Sequence, residues 1–238
     1  MRKQEELPTP ASTADLYRQL AVLIEWGAPK EERAAALALA ERYQADPVGL
    51  RLLTAFYSFL PADREEAVHT IGYVRRKQGF FLLVAETAEH RHLYLASVEE
   101  AIYLGLAEEG IWDAEVLAFF GWKDNAAAKK AVVAAAPWPA YRPAAQDPEL
   151  CPACFVGPGE HHILGCPVEI CPWCGGQLTH CECRFRQTGG KDLSRDAHIE
   201  ALAAALEKKG RIPFDPAEQS PAHPGAGGRL TGGLLGDS

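Results

Sequence analysis

The sequence predicts an α-rich N-terminal domain joined by a proline-rich stretch to a small, metal-stabilised C-terminal module, with one helix after it. Three observations predict this. Apolar residues recur at helical spacing through the first sixty residues. All seven cysteines fall between Cys151 and Cys183. Pro137, Pro139, Pro143 and Pro148 punctuate the chain between these regions. A length of 238 residues with 47% hydrophobic content is enough for one or two packed cores. The expected divisions are a mainly helical domain over 1–136, a stiff linker over 137–149 and the metal module over 150–190. A helix and extended segment over 191–214 and a disordered tail over 215–238 complete them.

Ser12 or Thr13 can cap a first helix whose Leu16, Leu20, Leu23 and Ile24 form one stripe, and Gly27 ends it. Pro29 suits the first turn of an alanine-rich second helix reaching about Ala45. Asp46-Pro47 opens a third helix, which Pro61 stops. A fourth is expected after Asp63, with Ala67, Val68, Ile71 and Val74 on one face, closing at Gly79. These helix pairs faintly resemble tetratricopeptide-type repeats, but no second copy aligns at a fixed period, so a plain helical domain is favoured. Phe80–Ala85 and His92–Ala96 then flank Glu86–His90. This is either a small β-hairpin or a helix joined to one short strand. Ser97-Val98-Glu99-Glu100 reads as a capping box for a helix to about Glu109. Asp113 and Asp124 can cap two short helices about Gly121-Trp122-Lys123, the outline of a helix-turn-helix. Ser194 or Asp192 is expected to cap a last helix through Lys209, buried along Ile199, Leu202, Ala203 and Leu206. From Pro216 the chain lacks any core-forming pattern.

The cysteines read Cys151-Pro-Ala-Cys154, Cys166, Cys171-Pro-Trp-Cys174-Gly175, then Cys181-Glu-Cys183. Two Cys-x-x-Cys pairs sixteen residues apart have the spacing of a zinc site. Met1–Glu6 leads into Pro8 and Pro10 with no apolar run, so a reducing cytoplasm is the expected compartment. There, clustered thiols bind metal rather than oxidise. Soft thiolates favour zinc over magnesium or calcium. Cys171-Pro-Trp-Cys174 alone would also suit a redox dithiol, but no βαβ pattern surrounds it.

Seven cysteines and one histidine, His161 or His162, make eight donors, enough for two closed four-ligand sites. Two pairings compete. The sequential one joins Cys151, Cys154, a histidine and Cys166, then Cys171, Cys174, Cys181 and Cys183. The interleaved one joins Cys151, Cys154, Cys171 and Cys174 in a ribbon, leaving the histidine, Cys166, Cys181 and Cys183 for a second ion. If Gln177–Cys181 were a strand, the seven residues from Cys174 to Cys181 at about 3.3 Å each would carry Cys181 roughly 23 Å from the first ion. That geometry favours interleaving. A single four-cysteine site with three free thiols is the plainer alternative.

The run His162-Ile-Leu-Gly-Cys166, Glu169-Ile-Cys171-Pro-Trp-Cys174-Gly-Gly-Gln177-Leu178 and Cys181-Glu-Cys183 resembles a pattern in uncharacterised bacterial zinc-ribbon proteins. The resemblance covers about 155–186 and touches Gly210–Phe214. It implies a zinc-ribbon-like module with His162 as the histidine ligand, and says nothing about activity.

A net charge of −8 argues against a dedicated nucleic-acid surface, which needs a concentrated positive field. A thiol-saturated cluster also lacks the open, water-bound position of a catalytic zinc. The deaminase pattern fails, since Pro172 lies inside the cysteine pair and Glu160 precedes His161. His69, His90, His92, His180, His198 and His223 read as isolated. The leading expectation is a non-catalytic zinc-binding protein whose ribbon and exposed Trp173 and Phe185 meet a protein partner. The alternatives are a nucleic-acid-associated regulator using the helix pair at 113–136, and an enzyme with an unrecognised site. A cluster of carboxylates and histidines in a pocket away from the thiols would revive the last.

Overall fold

The computed structural model describes residues 12–61, 64–190, 193 and 195–219. Three helices open the chain: α1 (Thr13–Gly27), α2 (Arg33–Arg42) and α3 (Pro47–Ser58). Ser12 forms a capping box with Asp15 at the head of α1. Asp46 caps α3 by accepting from the Gly49 amide at 2.8 Å. α1 and α3 match their sequence signals closely, whereas α2 begins at Arg33, after a turn that follows Pro29, and ends at Arg42.

The next forty residues do not. A four-stranded antiparallel meander follows, β1 (Thr70–Lys77), β2 (Phe80–Glu86), β3 (Arg91–Ala96) and β4 (Ala101–Leu106), in the order β1-β2-β3-β4. The hairpin reading of Phe80–Ala96 holds, but two expected helices are strands. Around β1 the apolar residues are spaced as a helical stripe, and a bulge at Tyr73–Arg75 shifts the register. Ile71 and Val74, three apart, pack on opposite sheet faces, as alternation along a strand places them, so the helical spacing is not used. The capping box at Ser97 is a turn. Ser97 Oγ accepts from the Glu99 and Glu100 amides at 3.2 and 3.3 Å, while the Ser97 amide donates to the Glu100 carbonyl. A serine hydroxyl satisfies two orphan amides equally well at a hairpin and at a helix start.

The two central strands, β2 and β3, are covered on both faces. Phe81, Leu83, Ala85, Tyr94 and Ala96 face α1–α3. Leu82, Val84, Leu93 and Leu95 face α4 (Ala114–Phe120) and α5 (Asn125–Ala134) through Val116, Phe120, Ala128 and Val132. Both short helices carry the expected aspartate caps, Asp113 and Asp124. Their apolar faces are used to cover the sheet. The fold of this half is thus a helix–sheet–helix sandwich rather than a mainly helical domain.

The proline-rich run is held against the sheet rather than strung between domains. The Tyr73 amide donates to the Pro139 carbonyl at 2.8 Å, and the Tyr141 amide donates to Ile71 at 2.7 Å. This covers the free edge of β1. Buried Tyr141 donates its hydroxyl to Asp46 at 3.1 Å, and the Tyr43 hydroxyl donates to the Tyr141 carbonyl. A 3₁₀ turn at Ala144–Gln146 then leads into the cysteine region.

That region ends in α6 (Cys183–Thr188) and α7 (Asp196–Lys209). The proposed caps Asp192 and Ser194 lie outside the described residues, as do Asp63, Met1–Glu6 and His223. Of the tail expected to be disordered, residues 215–219 form a turn with Gln219 buried, and 220–238 lie outside the described residues. No described helix is long and apolar enough to cross a membrane.

Candidate metal centres

The two Cys-Pro-x-Cys segments fold into the same knuckle. In the second, the Cys171 amide donates to the Gly176 carbonyl at 2.7 Å and the Gly175 amide donates back to Cys171 at 2.9 Å. Gly175 turns the chain with φ of +73°, as its sequence position implied. In the first, the Cys151 amide donates to Val156 at 2.9 Å and the Phe155 amide donates to Cys151 at 2.9 Å. Here the left-handed position is held by Phe155, with φ of +57°. A phenylalanine in this conformation is strained by about 1 kcal/mol or more. Its ring explains its presence. Phe155 is buried in the sheet domain's core, edge-on to Phe81 with ring centres 6.4 Å apart.

The first knuckle is therefore bolted to the sandwich. Arg76 of β1 pairs with Glu160 and also donates to the Phe155 carbonyl at 3.3 Å. Glu160 accepts from the amides of Gln78 and Gly157 at 3.0 and 2.7 Å. A Cβ added at Gly79, in the β1–β2 turn, would collide with the Cys154 carbonyl.

The donor atoms sort sequentially. Cys151, Cys154, His162 and Cys166 form one group whose ligand atoms lie within 4.8 Å of one another, and all four are buried. Cys171, Cys174, Cys181 and Cys183 form the second group. The interleaved arrangement expected from strand geometry is overturned. Gln177–Cys181 is a turn, not a strand. The amides of His180 and Cys181 both donate to the Gln177 carbonyl at 3.1 Å, which folds Cys181 back onto the second knuckle. Cys183 then joins from the first turn of α6. Sheet pairing in the ribbon region is limited to one bridge, Ile170 with Gln177, among the described residues.

His162 rather than His161 enters the first group. Cys154 Sγ is 3.4 Å from His162 Nδ1, and Cys151 Sγ is 3.7 Å from Cys166 Sγ. His162 Nε2 is 2.8 Å from Gln219 Oε1, whose own amide nitrogen donates to Pro213. An amide oxygen only accepts, so Nε2 carries a hydrogen, and Nδ1 is the ring atom turned toward the sulfurs, able to offer its lone pair to a metal once its own proton leaves. Gln219 was missed in the sequence because it sits 57 residues beyond the histidine in a polar, structureless-looking run. Arg211 donates to buried Glu169 at 2.7 Å and to the His162 carbonyl at 2.6 Å, joining the segment ahead of the second knuckle to the first group.

The buried donors act on one another's protons. Hydrogen bonds with Cys154 and Cys166 drive the Cys151 thiol far below its usual range, and those with Cys151 and Cys154 drive Cys166 far above it. Burial disfavours a charged His162, but hydrogen bonding to Cys151, Cys154 and Gln219 outweighs it and raises the ring to about 10. Four buried donors that converge on one another suit a cation. Around the second group, Arg186 donates to Cys183 Sγ at 3.3 Å and offsets thiolate charge. Trp173 is half-buried against a cluster containing Leu178, Leu202 and Leu206.

A third grouping was not expected. Glu66, His90 and His92 bring their donor atoms within 4.8 Å of one another. The histidines treated as isolated share one side of the β2–β3 hairpin, and Glu66 reaches them from the segment before β1. His90-Arg91-His92 was the available signal, since positions two apart on a strand face the same way.

No family model, curated protein or solved structure matches this chain.

Proposed function

We propose that the chain is a non-catalytic zinc-binding protein in which two zinc ions shape the C-terminal module into a structural and protein-interaction element. The observation that carries this reading is the separation of eight donors into two complete four-donor groups. Zinc–sulfur bonds of about 2.3 Å at tetrahedral angles put donor sulfurs about 3.8 Å apart. The Cys151–Cys166 separation of 3.7 Å fits this. A sulfur and a nitrogen at about 2.3 and 2.1 Å from one ion lie about 3.6 Å apart, close to the 3.4 Å between Cys154 and His162. Three thiolates and an imidazole, and four thiolates, both leave no position for water or substrate, which supports a structural role. The resemblance to bacterial zinc-ribbon proteins points the same way, although the strand pairing of a ribbon is reduced here to a single bridge.

Elemental analysis of the purified, reduced chain, washed with a weak chelator, is expected to give about two zinc ions per molecule. Replacing Cys151 and Cys154 by serine, or Cys171 and Cys174 by serine, should each remove one ion. An ion that either double substitution alone abolishes, so that the two losses fall on the same site, would restore the interleaved ribbon.

Gln219 should act on the first ion through His162. Gln219→Leu leaves the ring free to turn, and its affinity for that zinc is expected to fall about tenfold or more. Competition with a chromogenic chelator measures this. Zinc on the four-cysteine group should be unaffected.

A further inference from the structure

We propose a third metal site of a different class, in which Glu66, His90 and His92 bind one divalent transition-metal ion and leave a coordination position open to solvent. His90 Nδ1 lies 3.1 Å, and His92 Nε2 3.4 Å, from Glu66 Oε1. Donors at about 2.0–2.1 Å from one ion, at tetrahedral angles, are about 3.4 Å apart. Two imidazoles and a carboxylate suit zinc and its first-row neighbours rather than calcium or magnesium.

The hydrogen-bond roles at this cluster suit a cation. Arg64 Nη2 is 2.9 Å from His90 Nδ1, and a guanidinium can only donate. His90 Nδ1 is then an acceptor and carries no hydrogen toward Glu66, so two lone pairs face each other at 3.1 Å. Glu66 Oε2 is buried without a hydrogen-bond partner, and its carboxylate is nine-tenths buried. Arg64 approaches that oxygen at 3.3 Å without the alignment of a hydrogen bond. Its guanidinium thus stands near both the unpaired oxygen and the histidine lone pair, as a cation would. The Arg64 side chain is 43% exposed and can swing outward to admit an ion.

Glu66 also faces a cavity of about 400 Å³ whose wall includes Glu32, Glu65 and Glu89. Three protein donors and an adjoining cavity leave room for a water or a small ligand on the metal, unlike the two thiol groups. The acidic wall concentrates cations and disfavours anionic ligands. His92 is fixed from behind by edge-on contact with Phe56, ring centres 5.2 Å apart, which limits the motion of one donor.

The test uses the full chain with its thiol groups loaded with zinc and washed. Calorimetric titration with Zn²⁺ is expected to show one further saturable ion. Partly exposed His90 can be replaced without opening a core, and His90→Ala should weaken that ion by more than tenfold with the thiol-bound zinc count unchanged. Arg64→Gln removes the competing positive charge and should tighten the ion about tenfold. A purely structural hydrogen-bond network predicts instead that Arg64→Gln lowers the melting temperature and creates no zinc affinity. Absence of a further ion in both the wild type and Arg64→Gln overturns the site, as does further binding that His90→Ala leaves unchanged. The thiol zinc count is read on the same samples before titration, so failure of the two structural sites is seen separately.

Discussion

Stripping metal from the chain is expected to proceed in two steps with different reach. The four-cysteine group contains exposed Cys174 and half-buried Cys181, whereas every donor of the Cys151–Cys166 group is buried. A strong chelator should therefore take the second group's ion first. Structural zinc contributes about 10–16 kcal/mol of apparent binding free energy in small domains, so its loss unfolds what it holds. The first step should expose α6 and α7 to protease while amide protection in β1–β4 stays high. The second should reach the sandwich, because Phe155 belongs to its core and Glu160 holds Arg76 and the Gln78 amide. Protection at the β1–β2 turn should fall with that step, and the melting temperature of the sheet domain with it. Hydrogen exchange followed by mass spectrometry, alongside zinc release, measures both. Unchanged protection in β1 and β2 after complete zinc loss would show that the module folds apart from the sheet, as the cysteine window alone suggested.

Phe155→Ala is expected to be among the most damaging single substitutions outside the donors, destabilising by about 3–5 kcal/mol as buried phenylalanine truncations do. It removes a ring from the shared core while keeping a side chain at φ of +57°. Phe155→Gly removes the same ring but also relieves the left-handed strain. Glycine should therefore be less harmful than alanine here by roughly 1 kcal/mol, the reverse of the order in a helix or strand interior. Urea melts of the zinc-loaded variants give the comparison. Alanine as mild as glycine, or milder, would mean that residue 155 relaxes out of that conformation and that the knuckle is not held by its backbone.

The amino-acid sequence by itself determined the local events. Ser12, Asp46, Asp113 and Asp124 each cap the helix their spacing announced, because a side-chain oxygen and an orphan amide three residues on need nothing from the rest of the chain. The same holds for the clustering of the seven thiols and for the Gly175 turn, whereas His161 and His162 were equal candidates by spacing until the fold turned one of them toward the sulfurs. Knuckle geometry is fixed within six residues.

Only the tertiary structure decided the rest. The chain at β1 and β4 had helical or capping signals that sheet pairing overrode: both are partly buried edge strands, and the neighbour strand that fixes each lies elsewhere in the chain. The division of the donors depended on whether Gln177–Cys181 turns or extends, and packing of Leu178, Cys183, Leu202 and Leu206 in one cluster accompanies the turn. Gln219 and Glu66 were illegible because each meets its histidine across more than twenty residues of sequence. The pairing of donors from distant segments is set by how the core closes, and no local spacing encodes it.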